Sequence, residues 1–137
     1  MAWLKWLDTY SIGDKEIDRQ HNDILELINK LYEFNPVQDK TELFSSLLDK
    51  MIIGCHIHTI TERMYMEKIG RKNIDTHMNE HKILLDQMLR IKTVYTEEGI
   101  DHAKFLIATI SRQLLDHIQE EKNIMAENAE YILTDQS

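Results

Sequence analysis

The chain has 137 residues, 42% hydrophobic and 29% charged, with 24 acidic against 16 basic side chains and a formal net charge of −8. This is the size and composition of one globular domain, expected over residues 1–137, and its acidity opposes binding to a phosphate backbone. Four isolated glycines, Gly13, Gly54, Gly70 and Gly99, assemble no phosphate-cradling loop, and the single cysteine, Cys55, makes no internal disulfide.

Residues 1–16 carry Trp3, Leu4, Trp6, Leu7, Tyr10 and Ile12 without a helical period, which predicts an ordered N-terminal arm whose aromatic rings pack on something larger. Four amphipathic patterns follow. The first, about 18–34, repeats Ile17, His21, Ile24, Ile28 and Leu31 at intervals of three and four and stops at Asn35 and Pro36. The second, about 40–69, opens at Asp39, which with Glu42 resembles a capping box. Its stripe runs Phe44, Leu48, Met51, Cys55, His58, Glu62, Tyr65 and Ile69, and Gly70 ends it.

The third, about 74–96, aligns Ile74, His77, His81, Leu84, Met88, Ile91 and Tyr95. The fourth, about 100–131, aligns Leu106, Ile110, Leu114, His117, Glu121, Ile124 and Asn128. Short connections between four such helices predict an all-α, up-down-up-down antiparallel four-helix bundle. The longest charge-free run near the middle, Met51 to Thr61, is far below the ~20 apolar residues of a membrane span, and no signal pattern opens the chain. A soluble cytoplasmic protein is expected, with no membrane or nucleic-acid partner.

Every buried stripe carries histidine. An unsatisfied buried polar group costs ~1–3 kcal/mol, so five imidazoles on core faces require a reason. Residues four apart on a helix stand nearly above one another, about 6 Å apart along the axis. His58 with Glu62, His77 with His81, and His117 with Glu121 can therefore each aim two side chains at one centre, and His21 adds another. Five nitrogen ligands and two carboxylates exceed the needs of one ion and suit two, of iron or manganese rather than structural zinc. No histidine follows a glutamate at the spacing of the ferritin-like plan, and no H-E-x-x-H zinc-protease motif is present.

The opening Trp3-Leu4-Lys5-Trp6, then Tyr10-Ser11-Ile12-Gly13 and Ile17-Asp18-Arg19-Gln20-His21, followed in order by His58-x-x-x-Glu62, His77-x-x-x-His81 and His117, resembles the hemerythrins, and among them the bacterial members. The resemblance covers nearly the whole chain. It implies a four-helix bundle with two non-haem iron ions joined by an oxo or hydroxo bridge, which binds dioxygen reversibly at an open coordination position. By the same resemblance His77, His81 and His117 hold one iron, His21 and His58 the other, and Glu62 bridges them.

The sequence departs from the family pattern at one ligand. The family places a bridging Asp five residues after the last histidine, where this chain has Lys122, an ammonium with no lone pair to offer. Either the second carboxylate bridge is missing or Glu121 supplies it. Glu121 lies on the stripe with His117 whereas Lys122 is turned ~100° away, so Glu121 is expected in that role. Leu114, one turn before His117, resembles the apolar residue that borders the family's oxygen pocket.

His56 and His102 fall off the stripes and read as surface residues, Cys55 as a buried inert thiol, and Met51, Met64, Met66, Met78, Met88 and Met125 as core filling. Apart from the ligands, no titratable residue on the four stripes is expected near the centre, Tyr65 and Cys55 being the nearest. The expected function is dioxygen binding for storage, transport or sensing, without obligatory turnover. The alternative is a di-iron redox enzyme that reduces hydrogen peroxide or nitric oxide, motivated by the altered bridge.

Overall fold

A computed structural model describes residues 4–135, with side chains through residue 123. Trp3 and the side chains of Ile124, Met125 and Asn128 lie outside the described residues. A 3-10 turn, Asp8–Tyr10, precedes four helices: α1 (Lys15–Glu33), α2 (Thr41–Lys68), α3 (Ile74–Glu98) and α4 (Ile100–Asp135). There is no strand among the described residues, and the fold is an all-α four-helix bundle in which α1 packs on α2, α2 on α3, α3 on α4 and α4 on α1. No described helix is long and apolar enough to cross a membrane.

The helix ends follow local chemistry. α1 starts three residues before the expected position because the Asp14 carboxylate accepts the Ile17 backbone N–H at 3.0 Å, an N-cap that satisfies one of the free amides of the first turn. Periodicity alone missed this, since the two residues ahead of Ile17 are an exposed first turn. The capping box expected at Asp39 and Glu42 does not form. The N-cap of α2 is Lys40, without a side-chain cap, and the Asp39 carboxylate instead accepts the Asn35 N–H at 2.8 Å. α3 and α4 are separated by Gly99 alone, at φ 96°, a left-handed conformation that glycine adopts without steric cost.

Contacts between α2 and α3 join opposite ends of the two helices. Lys92, late in α3, meets Asp49, early in α2, at 2.5 Å, and Arg63, late in α2, lies 3.9 Å from Asp75, early in α3. At one end of the bundle Phe34, Phe44 and Tyr95 form an aromatic cluster, with ring centroids 5.3 and 4.3 Å apart. Lys104 at the start of α4 donates to the Phe34 carbonyl at the end of α1, at 2.6 Å.

Between this cluster and the histidines the core is apolar, filled by Leu25, Ile28, Leu48, Met51, Met88, Ile91, Ile107 and Ile110 among others. Each such side chain contributes ~1.5–3 kcal/mol on burial, so the core of this half of the bundle rests mainly on apolar packing. The arm is tied down by reciprocal bonds. The Leu4 N–H donates to Asn29 Oδ1 at 2.5 Å and Asn29 Nδ2 donates to the Leu4 carbonyl at 2.6 Å. The Asp18 carboxylate accepts from Ser11 Oγ and the Ile12 N–H, while Trp6 and Tyr10 meet edge to face at 5.6 Å.

One core assignment is corrected. Met51, Met66 and Met88 are buried, but Met64 is 65% exposed. α2 is apolar on two faces, and the period of 3.6 cannot by itself say which one a neighbouring helix covers.

Candidate metal centre

All seven ligand-type residues expected from the sequence converge. His21, His58, Glu62, His77, His81, His117 and Glu121 are each buried, Glu62 and Glu121 completely. They come from all four helices because the pairs in α2, α3 and α4 are four residues apart and point inward at the same level.

The arrangement divides by carboxylate oxygen. Glu62 Oε1 lies 2.7 Å from His77 Nε2 and 3.3 Å from His81 Nε2. Glu121 Oε1 lies 3.0 Å from each of those nitrogens and closer still to His117 Nε2. On the other side, Glu62 Oε2 is 2.5 Å from His58 Nε2 and 3.8 Å from His21 Nε2, and Glu121 Oε2 is 3.2 Å from His21 Nε2. Two sets of atoms able to hold a cation result, one from His77, His81 and His117 and one from His21 and His58. Both carboxylates belong to both sets. Glu121, like Glu62, thus offers an oxygen to each set, and Lys122 is in neither.

The outer partners fix which ring nitrogen carries a proton. Gln20 Nε2 donates to Glu16 and to Thr61 Oγ1, both at 3.0 Å, which leaves Gln20 Oε1 to accept from His58 Nδ1 at 3.0 Å. Thr59 Oγ1 donates to the Cys55 carbonyl at 2.8 Å and so accepts from His81 Nδ1 at 3.1 Å. Glu80 Oε2 lies 3.3 Å from His117 Nδ1 and 4.0 Å from His77 Nδ1. With Nδ1 protonated, the neutral rings turn Nε2 lone pairs toward carboxylate oxygens. Acceptors facing acceptors in a buried site call for cations between them.

The hydrogen-bond inventory agrees with that reading. His21 Nε2, His58 Nε2, His117 Nε2, Glu62 Oε2 and Glu121 Oε2 are buried without a hydrogen-bond partner, even where a contact is short. Such orphans are rare in folded proteins, and a metal would satisfy all five. Without metal, protons carry the compensation. Burial pulls His77 and His81 down, but hydrogen bonds and charge from Glu121 and Glu62 outweigh it and raise them to about 9 and about 10. Burial and the nearby Glu121 charge push Glu62 up, yet His58, His77 and His81 bring it down to about 2. Glu121 lies well below the usual carboxylate range, the imidazoles overcoming its burial. In His58 desolvation wins and the ring is held below its ordinary value.

Beside the cluster is a cavity of about 20 Å³, room for about one water-sized molecule. Leu114 lines it, as do Ile24, Leu84 and Leu85, and His58, His81 and His117 face it. Cys55 also borders it, its Sγ 3.1 Å from Met88 Sδ, with burial pushing the thiol up to about 12. His56 and His102 are exposed, away from the cluster.

The sequence reading missed Gln20, Thr59 and Glu80. Glu80 lies off the α3 stripe, three residues after His77, and bends across to the His117 ring on α4. The available signals were the position of Gln20 directly before His21 and of Thr59 directly after His58, but ring orientation depends on neighbouring helices.

Comparison with known proteins places these residues in a family. The Hemerythrin HHE cation binding domain matches residues 13–129. The bacteriohemerythrin of Stenotrophomonas maltophilia is 25% identical, across 93% of this chain and 82% of its own. That of Pseudomonas aeruginosa is 25% identical, across 88% and 78%, and that of Clostridium acetobutylicum 25%, across 84% and 95%. No solved structure matches significantly. With its matched region spanning nearly the whole bundle and every ligand-type side chain found there, the chain belongs to the hemerythrin family, whose general chemistry is oxygen binding at non-haem iron.

Proposed function

We propose that this protein binds dioxygen reversibly at a di-iron centre, as a cytoplasmic store, carrier or sensor of oxygen. His77, His81 and His117 would hold one iron and His21 and His58 the other, with Glu62 and Glu121 able to serve both. An iron pair held there would supply the electrons that oxygen binding needs. The division of carboxylate oxygens supports this assignment, as does the smaller donor set on the His21 and His58 side.

The observation that carries the reading is the cavity. It is small, its protein wall away from the histidines is mainly aliphatic, and it touches His58 of one set and His81 and His117 of the other. Leu114 and Leu84 give it aliphatic wall, and the Cys55 thiol, raised to about 12, stays protonated and is a poor nucleophile at neutral pH. Cleaving an O–O bond calls for a positioned proton donor. Glu80 approaches only the outer nitrogens of His117 and His77 and does not line this cavity. The residues thus hold the rings, and the proton donors that border the pocket are weak ones, the Cys55 thiol and the Thr59 hydroxyl, the latter engaged by the Cys55 carbonyl.

The test is the visible spectrum of the anaerobically reduced, iron-loaded protein before and after air, with metal analysis and stopped-flow mixing with oxygen and with hydrogen peroxide. A band that appears with oxygen and disappears on deoxygenation, at two irons per chain, is expected. Sustained peroxide consumption with a reductant and no reversible band would replace this reading with the redox enzyme. A single zinc and a featureless spectrum would end both.

A further inference from the structure

The face of α2 opposite the metal centre is itself apolar. Ile53, Ile57, Ile60 and Met64 are 58, 52, 62 and 65% exposed, and they follow one another at spacings of four, three and four. Lys50 and Glu67, both exposed, extend the stripe by three residues at either end. The series Lys50, Ile53, Ile57, Ile60, Met64, Glu67 therefore has a regular coiled-coil spacing over ~26 Å of helix. Scattered exposed apolar residues are ordinary, but a continuous stripe rimmed by charge marks an interaction surface.

The charges select its occupant. The spacing reads the same in both directions, so two copies of α2 can meet about a two-fold axis between Ile57 and Ile60. Antiparallel, this sets Ile57 against Ile60 of the second copy, Ile53 against Met64, and Lys50 against Glu67, each contact made twice. A parallel pairing would place Lys50 on Lys50 and Glu67 on Glu67, and is opposed by like charge. Arg63, which pairs with Glu67 at 3.1 Å within its own helix, borders the same stripe and can share that carboxylate. We propose that the exposed face of α2 is a homodimer interface, formed by antiparallel pairing of this helix with its copy.

The pairing is isologous, as closed two-fold contacts require. A single helix pair falls at the small end of specific interfaces, near or below ~1,200 Å² in total, so the dimer is reversible with concentration. Both copies keep their metal centres on the far side of α2, and the proposal does not depend on what those centres bind.

Sedimentation velocity of the full iron-loaded chain over a wide concentration range tests this. Twice the monomer mass is expected at high concentration, with dissociation on dilution. Ile60→Glu places two carboxylates in the middle of the contact and should raise the dissociation constant by roughly 100-fold or more, with helix content by circular dichroism unchanged because the residue faces water. Lys50→Glu should weaken the dimer by roughly tenfold, and adding Glu67→Lys to that variant should restore it. A monomer at every concentration, or a dimer indifferent to Ile60→Glu, overturns the interface. Failure of the double variant to recover overturns the antiparallel register.

Discussion

Replacing Glu121 by Gln tests the role of the residue at which this chain departs from its family's pattern. The change is nearly isosteric, so packing survives, but it removes a charge that is fully buried and has the Nε2 atoms of His21, His77 and His81 within 3.2 Å and that of His117 nearer still. Removing one member of a buried, mutually compensating charge cluster costs ~3–5 kcal/mol. At 1.4 kcal/mol per factor of ten, iron binding should weaken by roughly 10²- to 4 × 10³-fold in all, shared between two ions because each Glu121 oxygen faces a different set. Iron per chain after dialysis against a weak chelator, with the visible spectrum, measures the effect. Lys122→Ala is the control and should leave both unchanged. If Glu121→Gln keeps two irons with the parental affinity and spectrum, Glu121 is no bridge and the centre has one carboxylate. Tighter binding by Lys122→Asp would then show that the lysine marks a lost ligand.

The outer partners give a second expectation: Gln20→Leu removes the acceptor on His58 Nδ1 and should weaken iron retention by roughly 10–100-fold, read by the same dialysis, with no change in helix content. Leu114→Ala, at a residue 5% exposed, should cost ~2–5 kcal/mol in unfolding experiments and, by admitting water to the cavity, hasten decay of the oxygen-dependent band in air; an unchanged decay rate would remove Leu114 from the pocket's function. In the metal-free protein His77 and His81, raised from 6.5 to about 9 and about 10, stabilise the fold fully below pH 6.5 and lose that contribution as pH rises through 9 and 10. Glu62, lowered from 4.5 to about 2, contributes fully above 4.5 and loses its contribution as pH falls toward 2, while His58, held below 6.5, costs stability as pH falls past that value. Unfolding midpoints measured against pH should therefore fall at both extremes, and a midpoint still rising at pH 10 would refute the pairing of His77 and His81 with the carboxylates.

Replacing His77 by Ala should release iron from the set it shares with His81 and His117 and leave the helices in place, because the apolar half of the core from Leu25 to Ile110 does not involve it. Metal analysis beside circular dichroism checks this, and complete unfolding would make the metal a structural element instead.

The helices and their ligand stripes were legible in the sequence because both are local. A period of 3.6 fixes which residues share a face, and a spacing of four stacks His58 on Glu62, His77 on His81 and His117 on Glu121 without reference to any other helix. The ordered motif added the identity of the family. Local signals failed where two readings of the same residues compete. Asp39 could cap α2 or close the preceding turn, and it closes the turn. Met64 could face the core or join the outer stripe of α2, and it joins the stripe.

Only the tertiary structure decided how the side chains meet. The sequence offered Glu121 as a substitute ligand, but the turning of its two oxygens toward different histidine sets depends on the separation of α2 and α4 and on the reach of a glutamate between them. The proton positions on His58, His81 and His117 depend on Gln20, Thr59 and Glu80, each of which lies on a different helix from the ring it orients. Distances between helices and the rotamers they permit are properties of the packed core, to which residues far apart in the chain contribute together, and no window of sequence contains them.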